Sequence, residues 1–251
     1  MKAMWRVGTS GWVYQGWRGV FYPEDLPQSR WFAHYAQSFD TTEINYSFYR
    51  LPSEAAVGHW RQQAPAGFSY SIKANRFLTH VRRLKDLGES LEKFLSRVSR
   101  LDGTLGPILW QLPPKFPPDP VRLEAFAGLL PAGITHAFEF RDRRWFVPSV
   151  REVLERSNLS FCIFDMPDFT CPLWVTSETV YLRFHGSQVI YGSLYGVEGL
   201  EKWADHIQRW CADGRNVFAY FNNDALGYAV EDARTLKRLL GEAQPPKAGD
   251  P

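Results

Sequence analysis

The amino-acid sequence predicts an α/β chain closed into a (β/α)8 barrel. Three observations point there. Eight short segments rich in β-branched and aromatic residues recur along the 251 residues. Most are continuously apolar, as strands covered on both faces are, rather than alternating like a sheet with one wet face. Segments with helical spacing lie between them, and strand alternating with helix builds a parallel sheet. An open doubly wound sheet gives no reason for eight strands.

The elements follow in order. The strands are expected at Trp5–Gly8, Thr41–Ile44, Phe68–Ile72, Pro107–Gln111, His136–Phe140, Leu159–Phe164, Val180–Phe184 and Val217–Phe221. Trp31, Phe32, Tyr35 and Phe39 mark a first helix, and Ser53 caps a second over Ala55–Trp60. Leu87–Leu101 and Val121–Leu130 carry apolar residues at spacings of three and four. Pro148 suits the first turn of the next helix; Leu200, Trp203, Ile207 and Trp210, then Ala229–Leu240, supply the last two. Residues 166–178 hold two prolines and no helical stripe, so a loop or short turn is expected where the helix after the sixth strand would stand. The barrel is expected to fill residues 1–243 as one domain, with 244–251 as a frayed tail.

Composition narrows the class. At 45% hydrophobic and 16% aromatic the chain can bury a full core, which excludes disorder. Lysine and arginine total 29 against 27 acids, too even a balance to demand nucleic acid. The three cysteines form no CxxC and no metal-ligand spacing, and no apolar run reaches the roughly 18 residues of a membrane span. A reduced, cytoplasmic protein off the membrane is the expectation; nothing in the sequence fixes its oligomeric state.

In a barrel of this kind the carboxyl ends of the strands ring one mouth, where the chemistry sits. Here those ends carry Thr9, Ser10 and Trp12; Glu43 and Asn45; Lys73 and Asn75; Gln111; Glu139 and Arg141; Asp165; Arg183 and His185; Asn222 and Asn223. Two readings of the ring are open. It is an ion network tying Glu43 and Glu139 to Lys73, Arg141 or Arg183, or it is a ligand site; burying such a network is costly enough that stability alone does not motivate it. Lys73, Arg141 and Arg183 suit phosphate, carboxylate or a developing oxyanion. Glu43 and Glu139 are candidate bases and His185 a candidate acid. Asn45, Gln111, Asn222 and Asn223 can orient a nucleotide or polyhydroxylated substrate, and Trp12, Tyr49 and Trp145 can stack on a base or sugar. His80 follows Lys73 in the third loop and reaches inward.

Other chemistries are less visible. Gly8–Trp12 departs from the nucleophile-elbow pattern because Trp12 replaces the final glycine, so Ser10 is a poor nucleophile. The glycine-bearing loop His185–Gly196 lies where barrels place phosphate grips, but it matches no nucleotide-binding fingerprint. No cofactor motif stands out. A divalent metal would find oxygen donors in Glu43, Glu139 and Asp165 with His185 as one imidazole. Glycoside hydrolysis would need Glu43 and Glu139 to approach as an acid and base pair. Arg76, Arg82, Arg83 and Lys85 form the only dense basic run, the feature a nucleic-acid-binding barrel would use.

Seven stretches taken together resemble the YecE-like family, domain of unknown function 72. They are GTSGWVYQGWRGVFYP (Gly8–Pro23), TTEINYSFYRLP (Thr41–Pro52), FSYSIKANRFLTH (Phe68–His80), LGPILWQLPPKF (Leu105–Phe116), FEFRDRRW (Phe138–Trp145), VYLRFHG (Val180–Gly186) and YFNNDALGYA (Tyr220–Ala229). The resemblance spans Trp5 to Leu240 and implies a TIM-type barrel, distantly like the xylose isomerase and endonuclease IV barrels. By that analogy it implies nucleic-acid binding or phosphoester cleavage. The family pattern falls on Glu43, Asn45, Tyr49, Lys73, His80, Gln111, Glu139, Arg141, Trp145, Arg183, His185, Asn222 and Asn223, with Ser47 where a threonine is frequent. The histidine and carboxylate metal set of endonuclease IV is not visible. The leading expectation is a hydrolase of a phosphorylated or nucleotide-containing substrate. The alternatives are a glycosidase or sugar isomerase and a non-catalytic nucleic-acid-binding barrel.

Overall fold

In the computed structural model, which describes residues 3–242, eight parallel strands close on themselves in sequence order. They are β1 (Trp5–Thr9), β2 (Thr41–Ile44), β3 (Ser69–Lys73), β4 (Leu105–Leu112), β5 (His136–Phe140), β6 (Ser160–Asp165), β7 (Thr179–Phe184) and β8 (Asn216–Phe221). Each lies where the apolar pattern places it, with ends shifted by a residue or two. β8 closes the barrel on β1 through the register Trp5↔Val217 to Thr9↔Phe221.

The helices are α1 (Trp31–Ser38), α2 (Tyr46–Tyr49), α3 (Glu54–Gln63), α4 (Gly88–Val98), α5 (Pro120–Ala127), α6 (Pro148–Arg156), α7 (Gly196–Ala212) and α8 (Tyr228–Glu242). Ser53 Oγ accepts from Ala56 N at 3.1 Å, so the expected cap starts α3. Asp119 Oδ1 does the same for Arg122 N at 2.9 Å, and prolines fill the first turns of α5 and α6. Several short elements escape the sequence pattern, among them the single turn α2 and a π-helical turn over Phe77–Val81. Both follow strand ends, and each is too short to show a 3.6-residue period. The tail expected at 244–251 lies outside the described residues.

No helix forms between β6 and β7. Thr176 Oγ1 instead accepts from Phe161 N (2.8 Å) and donates to Leu159 O (2.6 Å), while Ser160 and Ser177 hydroxyls pair at 2.8 Å. The connection thus runs flat along the strand, leaving a cleft of about 700 Å³ between Phe164, Phe169 and Leu173 on one side and Trp203 of α7 on the other.

Two apolar layers explain the continuous hydrophobicity. Outside, Ile72, Trp110, Phe138, Phe140, Leu182 and Phe184 join one core cluster with the helices. Inside, Leu109, Ala137, Cys162, Tyr181 and Tyr220 make a second. Each large apolar side chain so buried contributes about 1.5–3 kcal/mol. Among the described residues no helix is long and apolar enough to cross a membrane.

Candidate active site

Successive side chains of a strand face opposite sides, so residues two apart share a face. Contacts between strands that are not neighbours fix which face is the lumen. Tyr220 OH on β8 lies 2.7 Å from both Thr41 Oγ1 on β2 and Ser71 Oγ on β3. Two residues further along those strands come Glu43 and Lys73. The same step takes Leu109 to Gln111, Ala137 to Glu139 and Tyr181 to Arg183, so the greasy floor gives way to a polar layer one step nearer the mouth.

Arg183 centres that layer. Its Nη2 donates to Glu43 Oε1 at 2.8 Å and its Nη1 to Glu139 Oε2 at 2.6 Å. Glu43 also accepts from Ser10 Oγ (2.8 Å) and Tyr181 OH (2.7 Å). Glu139 accepts from Gln111 Nε2 at 2.7 Å and from Arg141 Nε. Glu43, Glu139 and His185 are 0% exposed and Arg183 is 1% exposed, so this tier is sealed. Burial works against the Glu139 carboxylate, but Arg141 and Arg183 overcome it and hold its pKa well below the usual range.

His185 is kept neutral, its pKa pushed far down by burial and then by Arg183 and Arg141. Its Nε2 lies 2.7 Å from Arg141 Nη2, and because a guanidinium only donates, Nε2 is the acceptor. A neutral imidazole so held is poorly suited to the acid role expected of it. Ser10 stands at the strand end where the sequence places it, whereas Tyr181 is a partner that strand-end reasoning passed over. Tyr181 carried a usable signal, since it sits two residues before Arg183 on one strand face.

Other side chains of the mouth are more accessible. Lys73 is half-buried, its Nζ 4.3 Å from the centre of the Phe48 ring. Burial and then Arg183 lower its pKa to about 8. His80 meets the same ring edge-on at 4.9 Å, with Nδ1 2.9 Å from Thr79 Oγ1. Burial and then Lys73 lower its pKa to about 4. Asn222 Oδ1 accepts from Arg183 Nη2 at 3.3 Å. Asn45 Nδ2 donates to Ser10 O at 3.4 Å, while its buried Oδ1 has no partner among the described residues. Asn45 and Ser10 line a cavity of about 420 Å³ walled by Trp12, Tyr14, Tyr46 and Trp60. Tyr49 stands 72% exposed at the rim.

Three expected residues are drawn elsewhere. Trp145 is buried, stacked on Phe140 at 4.7 Å, with its indole donating to Phe116 O. Asn223 Nδ2 donates to Ser193 O (2.9 Å) and Asp232 Oδ2 (2.7 Å), anchoring the loop after β7. Asp232 in turn accepts from the backbone amides of Tyr195 and Gly196 at the start of α7. Asp165 accepts from Trp203 Nε1 at 3.2 Å and lines the cleft beside α7. The expected metal set is therefore not assembled: Asp165 has left it, and the Arg183 guanidinium stands between Glu43 and Glu139 where a cation would sit. No group of three or more His, Cys, Asp or Glu among the described residues is placed to hold an ion. Glu139, held ionised, is likewise unsuited to be the proton donor of a glycosidase pair.

Of the basic run, Arg82 pairs with Asp86 at 3.9 Å and Arg83 lies over the Phe116 ring at 5.4 Å. The mouth itself sets three cations, Lys73, Arg141 and Arg183, against two carboxylates.

Comparison with known proteins places the chain in a family and agrees with its fold. The family model for the protein of unknown function DUF72 matches residues 6–251. The UPF0759 protein YunF of Bacillus subtilis (strain 168) is 25% identical over 93% of this chain and 94% of its own. The UPF0759 protein YecE of Escherichia coli (strain K12) is 29% identical over 47% of this chain and 44% of its own. A crystal structure of a DUF72 family protein from Thermotoga maritima MSB8 superposes with a TM-score of 0.86 at 27% identity, covering 95% of this chain and 99% of that one. Another, from Enterococcus faecalis V583, shares the fold with a TM-score of 0.81 at 19% identity over 98% of this chain and all of that one, 100%. Matched by the family model along nearly its whole length, this chain belongs to the DUF72 family.

Proposed function

We propose that the barrel is an enzyme that binds a phosphorylated or nucleotide-containing substrate at its mouth and hydrolyses it. The observation that carries this reading is the charge of the mouth, where Arg141 and Arg183 pair with the two buried carboxylates and Lys73 adds a positive charge with no carboxylate of its own, an excess that favours an entering anion. Arg141 and Arg183 are tied down, so Lys73 is the cation best able to meet a phosphate oxygen directly. The aromatic cavity adjoining Ser10 and Asn45 suits the flat face of a base or sugar, and the unpartnered Asn45 Oδ1 suits a ring N–H or hydroxyl. With Glu139 ionised and His185 neutral, Lys73 is the group there whose pKa lets it both give and take a proton near neutrality. Three free cysteines support a cytoplasmic setting.

The test is a panel of nucleotides and sugar phosphates scored for orthophosphate release and for ligand-induced rise in melting temperature. Release by the parent protein and its loss in Lys73→Met are expected. A panel that yields neither release nor a melting shift would overturn the reading.

A further inference from the structure

We propose that Lys73 is a nucleophilic amine that forms an imine with a small aldehyde or ketone entering the barrel mouth. Most cationic side chains near the mouth are committed to an acceptor: Arg183 to Glu43 and Glu139, Arg141 to Glu139 and His185. Lys73 Nζ has no hydrogen bond or ion pair among the described residues. It rests instead on the Phe48 ring, 4.3 Å from its centre. The carboxylates nearest in charge terms are already saturated by the guanidiniums. A lysine serving only as a counter-ion gains nothing from this isolation, and an arginine would do that task at any pH. An amine that must attack a carbonyl does gain, since only the unprotonated form carries the lone pair.

The surroundings fit the step. The backbone carrying Lys73 is fixed on both sides, with Ser47 Oγ donating to Lys73 O at 2.7 Å and Ala74 N donating to Leu109 O at 2.8 Å. The desolvated, electropositive site lowers the amine from 10.5 to about 8, which at neutral pH supplies roughly 300-fold more free base than an ordinary lysine. His80 packs edge-on against the same ring; its Nδ1 is engaged by Thr79, and its Nε2 makes no hydrogen bond among the described residues. In the reaction the Lys73 nitrogen bonds to the carbonyl carbon and the π electrons move onto oxygen. Both amine protons then leave with that oxygen as water, and a C=N bond remains. His80, held neutral, is placed to relay the protons. The step consumes no oxidant or reductant, and the imine is an electron sink for bond cleavage at the adjoining carbon. This inference stands on the geometry of Lys73 and does not require the phosphate reading.

The experiment treats the full chain at pH 7 with dihydroxyacetone phosphate or with dihydroxyacetone, reduces with sodium borohydride and maps adducts by peptide mass. A saturable adduct on Lys73 that forms at least roughly tenfold faster than on the surface lysines is expected. It should vanish in Lys73→Arg, whose unchanged melting temperature would show that the barrel is intact. Adduct spread evenly over the lysines, or none on Lys73 with either probe, overturns the inference. Labelling of Lys73 by both probes without preference for the phosphorylated one would sustain it while counting against anion binding, so the two readings separate.

Discussion

Arg183 Nη2 lies 2.8 Å from Glu43 Oε1, although β8 and β1 separate their strands on one side and four strands on the other. The pair can meet only through the lumen, so it ties opposite walls of the barrel as well as setting the charge of the mouth.

Arg183→Met should therefore be a stability variant as much as a site variant. It leaves the sealed Glu43 without its guanidinium, while Glu139 keeps Arg141 as its remaining cation, and breaking a buried pair from one side costs about 3–5 kcal/mol. At roughly 2–4 °C per kcal/mol for a chain of this size, thermal unfolding should fall by about 10 °C. Adding Glu43→Gln and Glu139→Gln to Arg183→Met should recover part of the loss. A melting temperature unchanged in the single variant would contradict the sealed network.

Acid should loosen the fold beginning at mildly low pH. His185 and His136 both have folded pKa values below the ordinary 6.5, that of His136 about 4, with burial the leading cause in each. A depressed folded value means the unfolded chain takes up the proton first, so their contribution is complete above 6.5 and drains away as pH falls. The slope is about 1.4 kcal/mol per pH unit for each group. Glu139, also depressed, begins to add to the loss only below its unfolded value of 4.5. Urea midpoints of the parent and His136→Asn between pH 7 and 5 should diverge accordingly, the variant showing the flatter curve.

Anion binding should titrate with Lys73. The amine is charged below about 8 and neutral above it, so affinity for inorganic phosphate should decline as pH rises from 7 to 9. In Lys73→Met that decline should disappear along with most of the affinity, as read by calorimetry.

Gly186→Ala should disturb the loop after β7. Gly186 has φ +104°, and a Cβ there would lie 2.3 Å from Val189 O. Strain in this left-handed backbone and the clash together should cost about 1–3 kcal/mol. Amide exchange should quicken over residues 187–195, where Tyr191 N donates to His185 O at 2.6 Å. Exchange no faster than in the parent would refute the account.

Asp232→Ala should loosen the same loop from its other end. The carboxylate receives the amides of Tyr195 and Gly196 and the side chain of Asn223, an acceptor at the positive end of α7. A loss of about 1–2 kcal/mol is expected, with faster exchange at the start of α7.

The barrel was legible because its strands are greasy on both faces and because Ser53 and Pro148 punctuate the helices where expected. The gap after β6 was legible from its prolines. The mouth was legible only in part. Glu43, Lys73, Glu139 and Arg183 could be named because charges inside apolar runs stand out. Which charge neutralises which could not, because pairing across the lumen depends on the register and closure of all eight strands. Trp145, Asn223 and Asp165 look no different in sequence from mouth residues. Only the packing of Trp145 on Phe140, and the contacts of Asn223 with Asp232 and of Asp165 with Trp203, turn them to structural tasks.

The guanidinium gripped between Glu43 and Glu139 has one further implication. A side chain pinned from two sides has no rotamer left to explore, so the electric field at the top of the barrel is set when the chain folds, and any guest of the proposed site would meet dipoles already oriented. Selectivity would then come from rejecting molecules that cannot match a rigid template, and moulding around the guest would be left to the outlying aromatic rim at Tyr46 and Tyr49.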